Sequence, residues 1–208
     1  VKQINIFYLD NNVYKCAMMH NDKHVVKMIL EYSQLLSTAH RFLDGKETFD
    51  KSKTGRNVKR WILEDKFLND RLYSATHINH PSAVWVRQSK ENYIWLSNML
   101  ISLCEEYTYR YNKTHKVERD GLCFVLLKNI PKNIGNKGWS EPTPAMPDNV
   151  KIQGNSIESY RNYYINNKLH LAKWKNREIP KWFQFGCLSE LASESQKLGL
   201  YNADLRIL

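Results

Sequence analysis

Apolar positions recur at helical spacing over most of this chain. After Asn21 and Asp22, either of which can cap a helix, Val25, Met28, Ile29, Tyr32, Leu36 and Ala39 recur every three or four residues. His24, Lys27, Glu31, Gln34 and Thr38 form an equally regular polar stripe on another side of the same helix. A shorter helix is expected over Leu63 to Tyr73. A long one starts at Pro81, restarts at Ser89 and runs to Tyr111, with Tyr93, Leu96, Met99, Leu100, Leu103 and Tyr107 inside. A last major helix, capped by Ser156, reaches about Lys173. Ile4 to Leu9 reads as a short extended or buried segment. Strand alternation is scarce, so the expected fold is mainly α: a compact helical single domain over residues 1–208 with loop insertions.

Two stretches break the pattern and read as insertions. Residues 44–60 contain Gly45, Gly55 and the cations Lys51, Lys53, Arg56, Lys59 and Arg60, as an exposed loop with a basic tip would. Residues 134–155 are rich in Gly, Pro and Asn and read as a long loop. Residues 187–208 form a C-terminal extension.

Composition narrows the class. The 208 residues are 42% hydrophobic and 25% charged, which excludes a disordered or collagen-like chain. The longest apolar run, Leu122 to Leu127, is far short of a bilayer span. Cys16, Cys104, Cys123 and Cys187 are widely spaced, with no C-x-x-C pair, so neither thiolate zinc nor a disulfide framework is suggested and a reducing interior fits. The chain opens on Val1, so either an initiator Met has been removed or the chain is a fragment. The expectation is a cytoplasmic protein, in the host cytoplasm if the AT-rich flavour of its Lys, Asn and Ile usage marks a viral source, with no membrane and no obligate protein partner.

Charge supplies the first functional clue. A formal net charge of +10 favours a polyanionic partner, nucleic acid being the commonest. Arg161, Lys168, Lys173, Lys175, Arg177 and Lys181 accompany Tyr160, Tyr163, Tyr164, Trp174, Trp182, Phe183 and Phe185, and cations with flat rings suit phosphates and unstacked bases. Tyr160 and Tyr163 have core spacing, whereas the run from Pro180 to Gly186 follows a helix-stopping proline. His24, Lys27 and Glu31 project from one helix face, where a carboxylate beside a cation and an imidazole can move protons or stabilise developing positive charge, or can be an ordinary solvated face with an i, i+4 ion pair. His20, Asp22 and His24 form a His-x-Asp-x-His pattern that could instead hold a divalent metal, although Asp22 is equally suited to capping.

Four stretches resemble the phage-type pyrimidine-dimer DNA glycosylases, the family of the small endonuclease V of T-even phages, and their distant bacterial relatives. They are Ile4-Asn5-Ile6; Asp22-Lys23-His24 with Glu31 nine residues beyond Asp22; Asn79-His80-Pro81 leading through Val84-Trp85 to Cys104-Glu105-Glu106; and Pro180-x-Trp182-Phe183-x-Phe185-Gly186. The resemblance implies a compact, mostly helical domain that acts on double-stranded DNA without metal or other cofactor. It implies an N-terminal α-amine, at Val1, that attacks the sugar C1′ of a damaged or modified pyrimidine nucleotide, forms an imine and nicks the strand by β-elimination. Glu31 would be the assisting carboxylate. Lys2, His24, Lys27, Gln34, Arg56, Arg161, Lys168, Lys181, Trp182, Phe183 and Phe185 would be the DNA-binding set. An α-amine has an intrinsic pKa near 8, so an appreciable fraction is uncharged and nucleophilic at neutral pH. The chain departs from the family at Leu30 and Gln34, which stand where the family carries phosphate-gripping arginines, and around residues 10–20, 46–75 and 135–155, where it is longer. Two alternatives remain: a non-catalytic nucleic-acid-binding protein, and a metal-dependent hydrolase built on His20, Asp22 and His24.

Overall fold

The computed structural model describes residues 4–52 and 54–197, and the fold is mainly α. Extended residues 4–9 lead into α1 (Val13–Met19) and the long α2 (Asp22–Asp44). A β-hairpin, β1 (Lys46–Lys51) and β2 (Asn57–Ile62), and the short α3 (Lys66–Arg71) follow. Then come α4 (Pro81–Gln88), α5 (Lys90–Tyr111), α6 (Lys116–Arg119), α7 (Leu122–Lys128), α8 (Ser156–Asn167) and α9 (Lys181–Lys197). No helix among the described residues is long and apolar enough to cross a membrane.

Local chemistry explains the boundaries. The Asn21 side chain, rather than Asp22, accepts from the His24 backbone N–H and starts α2. Pro81 occupies the first turn of α4, and Ser89 both ends that helix and caps α5, the restart expected at that residue. Asn155, not Ser156, caps α8, which stops at Asn167. The helix expected over Leu63 to Tyr73 shrinks to α3. Short α1, capped by Asn12, was not anticipated.

The apolar stripe of α2 is core as its spacing requires: Val25, Met28, Ile29, Tyr32, Leu36 and Ala39 are all buried, and all but Val25 belong to a cluster built with α4, α5 and α7. Residues 4–9 run buried through this core without joining a sheet, and side chains take the place of strand partners. The Phe7 N–H donates to the Tyr32 hydroxyl (3.2 Å), the Ile6 N–H to Asn5 Oδ1 (2.8 Å), and the Leu9 carbonyl accepts from the Arg161 guanidinium (3.0 and 3.1 Å).

Two expectations change. Residues 44–60 are not a loop: Lys46 to Lys51 pair antiparallel with Asn57 to Ile62. After Pro180 the run is helical from Lys181, and α9 continues unbroken past Cys187, where the C-terminal extension was expected to begin. At Gly186 the backbone of α9 comes close to α8, where an added Cβ would displace the end of the Ile165 side chain.

Candidate functional site

The polar stripe of α2 does not face open water. Glu31 is 3% exposed, and His24 and Thr38 are buried with it, while Lys27 and Gln34 are half-buried. Lys27 Nζ lies 3.0 Å from Glu31 Oε1. Glu31 Oε2 is buried with no hydrogen-bond partner, a state shared among the described residues by Glu118 Oε2, on a half-buried side chain, and by the Ser37 and Ser82 hydroxyls. Leaving a buried acceptor unmet costs about 1–3 kcal/mol, so such an atom calls for an explanation.

Two turns before Glu31 along α2, the His24 ring stacks on Phe7 (centroids 4.0 Å apart, 18° between planes). Its Nδ1 accepts from the Tyr164 hydroxyl at 2.6 Å. Burial, with the positive charges of Lys168, Lys27 and Lys23 and the neighbouring His20, pushes its pKa down to about 2. His24 is therefore neutral at physiological pH and supplies no charge to a phosphate. The cationic character comes from the three lysines around it. Lys168 rests 4.7 Å above the Tyr163 ring.

His20 is placed by the same logic. The Cys16 carbonyl can only accept, so Nδ1, 2.7 Å away, carries the proton. Nε2 then accepts from the Tyr32 hydroxyl (3.1 Å), which itself receives the Phe7 N–H. Burial lowers the His20 pKa to about 4. Asn5 closes the opposite end of the segment: its Oδ1 accepts from the Tyr160 hydroxyl (2.8 Å) and its amide donates to the Ala145 carbonyl (2.8 Å). The N-terminal segment is thus pinned between α2 and α8 by contacts that composition could not reveal.

Asp22 belongs to a separate cluster. Arg110, fully buried on α5, donates to Asp22 Oδ1 (2.9 Å), to Glu106 Oε1 (2.6 Å) and to the Met18 carbonyl (2.9 Å). Arg177 grips Glu106 through Nε and Nη2 (3.0 and 2.8 Å) and lies 3.8 Å over the Tyr109 ring. With Asp22 engaged by Arg110 and by the Lys175 N–H, His20 by Cys16 and Tyr32, and His24 by Tyr164, the His-x-Asp-x-His pattern does not converge. Among the described residues no group of three or more His, Cys, Asp or Glu is arranged to hold a metal ion.

The basic and aromatic set is divided by the fold. Phe183 is core at 5% exposure, packed on Trp174, whereas Phe185 is 67% exposed. Trp182 is half-buried under the Arg161 guanidinium (5.4 Å) and against Tyr164 (6.0 Å). Arg161 is engaged by the Leu9 carbonyl and Glu158, which makes it first a brace for the N-terminal segment. Lys181 is exposed and lines a cavity of about 400 Å³ with Lys15, Met18, Met19, Arg177 and Pro180, apart from Glu31. Arg56 is exposed on the hairpin tip. Val1 and Lys2 lie outside the described residues.

The structure therefore places Lys27 against the buried Glu31 carboxylate and, two turns earlier on α2, His24 among Lys23, Lys27 and Lys168. Phe7 and Tyr32, which contact His24 and His20, were not singled out as site residues, whereas Tyr160 and Tyr164 entered only as part of the basic and aromatic set. Comparison of the chain with protein-family models, with curated proteins and with solved structures finds no match to any of them.

Proposed function

We propose that this protein is a DNA glycosylase with abasic-site lyase activity, acting on pyrimidine dimers or a modified pyrimidine. The observation that carries the reading is Glu31, a buried carboxylate with one oxygen on Lys27 and the other unpartnered. A carboxylate held this way in a low-dielectric setting stabilises a cation that develops beside it. Cleavage of an N-glycosidic bond generates such a cation on the sugar, as oxocarbenium character and then as a protonated imine.

The chemistry uses an amine and a carboxylate. The amine nitrogen bonds to C1′ as the C1′–base bond breaks and the base leaves with a proton. The opened sugar is then held as an imine. Loss of a C2′ proton breaks the C3′–O bond, and water releases the enzyme from the nicked strand. The α-amine at Val1 fills this role where Val1 opens the mature chain. Lys23, Lys27 and Lys168 would hold the phosphates flanking the target nucleotide. A base within a duplex is out of reach, and the weakened stacking at a lesion lowers the cost of extruding it.

Borohydride reduction in the presence of a dimer-containing or abasic duplex tests this, followed by peptide mapping of the cross-linked residue. The expected result is a covalent protein–DNA adduct at the N-terminal residue, together with a Glu31→Gln variant that binds the duplex but does not nick it. Absence of any adduct, or full nicking by Glu31→Gln, overturns the reading. Tight, salt-sensitive binding without cleavage would establish a non-catalytic DNA-binding protein instead.

A further inference from the structure

The β1–β2 hairpin plays no part in the core, yet it carries a dense charge. Residues 46–62 hold six cations, Lys46, Lys51, Lys53, Arg56, Lys59 and Arg60, against Glu47 and Asp50. Nearly all of both strands is exposed or half-exposed, with Trp61 alone buried. An isolated two-stranded ribbon is marginal in water, so this one needs an anchor. Buried Arg41 supplies it: its guanidinium donates to the Trp61, Asn69, Leu72 and Tyr73 carbonyls and to Asn69 Oδ1. Gly45 lets the chain turn there, since a Cβ at that position would strike the Arg41 carbonyl.

Register shows what the ribbon presents. Cross-strand partners share a face, so Glu47, Phe49 and Lys51 stand with Trp61, Lys59 and Asn57. On this face Phe49 is 66% exposed, with Lys59 Nζ 5.9 Å from its ring. The opposite face, with Asp50, Arg60 and Ile62, leans over Arg41, Ser74 and Ala75. The turn is held by Ser52, whose N–H donates to the Arg56 carbonyl (2.8 Å) and whose hydroxyl accepts from the Arg56 N–H (3.0 Å). A positive φ at Gly55 completes it.

We infer that this hairpin is a duplex-DNA docking ribbon that enters the major groove to one side of the nucleotide under repair. The inference rests on the proposed function for its partner, duplex DNA, and for taking Glu31 as the position of the target nucleotide. A two-stranded ribbon matches the roughly 12 Å width of the major groove. Six strand residues reach about 20 Å, with Lys51 and Arg56 at the end. Glu31 precedes the hairpin by thirteen to fifteen positions, about 20 Å along α2, so the ribbon stands apart from the carboxylate rather than over it. Lys51 and Arg56, joined by Lys59 when it leaves its 2.8 Å pair with Glu47, supply sequence-independent phosphate contacts, and Phe49 offers an apolar surface to thymine methyl groups.

The test compares the full chain with its Lys51→Ala/Arg56→Ala/Lys59→Ala variant on a duplex bearing a non-cleavable abasic analogue. Anisotropy across a salt series should show the variant bound about tenfold or more weakly, with a log–log salt slope shallower by about two to three. Dimethyl sulfate, which methylates guanine N7 in the major groove, should reveal wild-type protection to one side of the analogue that the variant and Phe49→Ala reduce. An unchanged melting temperature shows that the loss is local. Equal affinity and slope for wild type and variant, or the same loss on a single strand of equal sequence, overturns the ribbon. If wild type forms the borohydride adduct while the variant binds as tightly, the hairpin inference alone falls. If wild type binds no duplex, both readings fall.

Discussion

Glu106 and Glu31 are both buried carboxylates on long helices, and they are treated in opposite ways. Both oxygens of Glu106 are met, by Arg110 and by a two-pronged Arg177. Glu31 has one half-exposed lysine for one oxygen and, among the described residues, nothing for the other. The first arrangement joins the ends of α1, α2 and α5 to the segment after α8, which is what a buried ionic network can do when every lone pair is satisfied. The second leaves an acceptor without a protein partner, which is tolerated where a ligand supplies one. Burial and charge alone do not distinguish the two; satisfaction does.

The largest expected effect breaks the satisfied side. Arg110→Met strands Asp22 and part of Glu106 and should lower unfolding free energy by about 3–5 kcal/mol, read by denaturant titration at neutral pH. Glu106→Met should fall in the same range, because it leaves Arg110 and Arg177 without their shared partner.

Acid probes a different set of buried groups, the histidines that hold the N-terminal segment. His20 and His24 titrate in the folded chain near pH 4 and near pH 2, below the unfolded value of about 6.5. Between those values the unfolded chain binds more protons, so their contribution is complete above about pH 6.5 and is lost as pH falls. At about 1.4 kcal/mol per pH unit for each ring, stability should drop by roughly 4 kcal/mol between pH 7 and pH 5, and His24→Gln should remove about half of that acid sensitivity. A flat stability profile over this range would mean that the Phe7–His24 stack opens readily to water.

How much of this was legible follows from which interactions are periodic. The core stripe of α2 and the Ser89 restart were visible because helical spacing and caps are local. The placement of Glu31 on one face with Lys27 and His24 was equally visible; its burial was not, because that depends on distant elements folding over the stripe. The hairpin escaped notice because Lys-Glu-Thr-Phe-Asp-Lys and Asn-Val-Lys-Arg-Trp-Ile have polar residues on both faces, and a ribbon wet on both sides shows no alternation. Thr54-Gly55 was the signal available for it. Phe183 and Phe185 differ because α9 restarts after Pro180, and helical residues two apart do not share a face. Asp22, Glu106 and Arg110 were beyond reach, since their network joins positions about 90 residues apart.

The smaller effects fall on Glu31. Glu31→Met removes an unmet buried oxygen and its half-screened ion pair, so it should leave stability unchanged or raise it by about 1 kcal/mol, against the large loss for Glu106→Met. A loss as large as that of Glu106→Met would make Glu31 a structural residue and remove the observation on which the catalytic reading rests.

Lys27→Met is the finest cut. Its Nζ is one end of an i, i+4 pair with a 39% exposed lysine side chain, worth less than about 1 kcal/mol to the fold. Its larger effect should appear in DNA binding, as a salt slope shallower by about one where Lys27 also meets a phosphate. If stability and salt slope are both unmoved while nicking slows, Lys27 acts through Glu31 alone, holding Oε1 so that Oε2 faces the developing cation. Lys27→Arg should then restore nicking, since a guanidinium can hold the same oxygen, whereas Lys27→Gln should not.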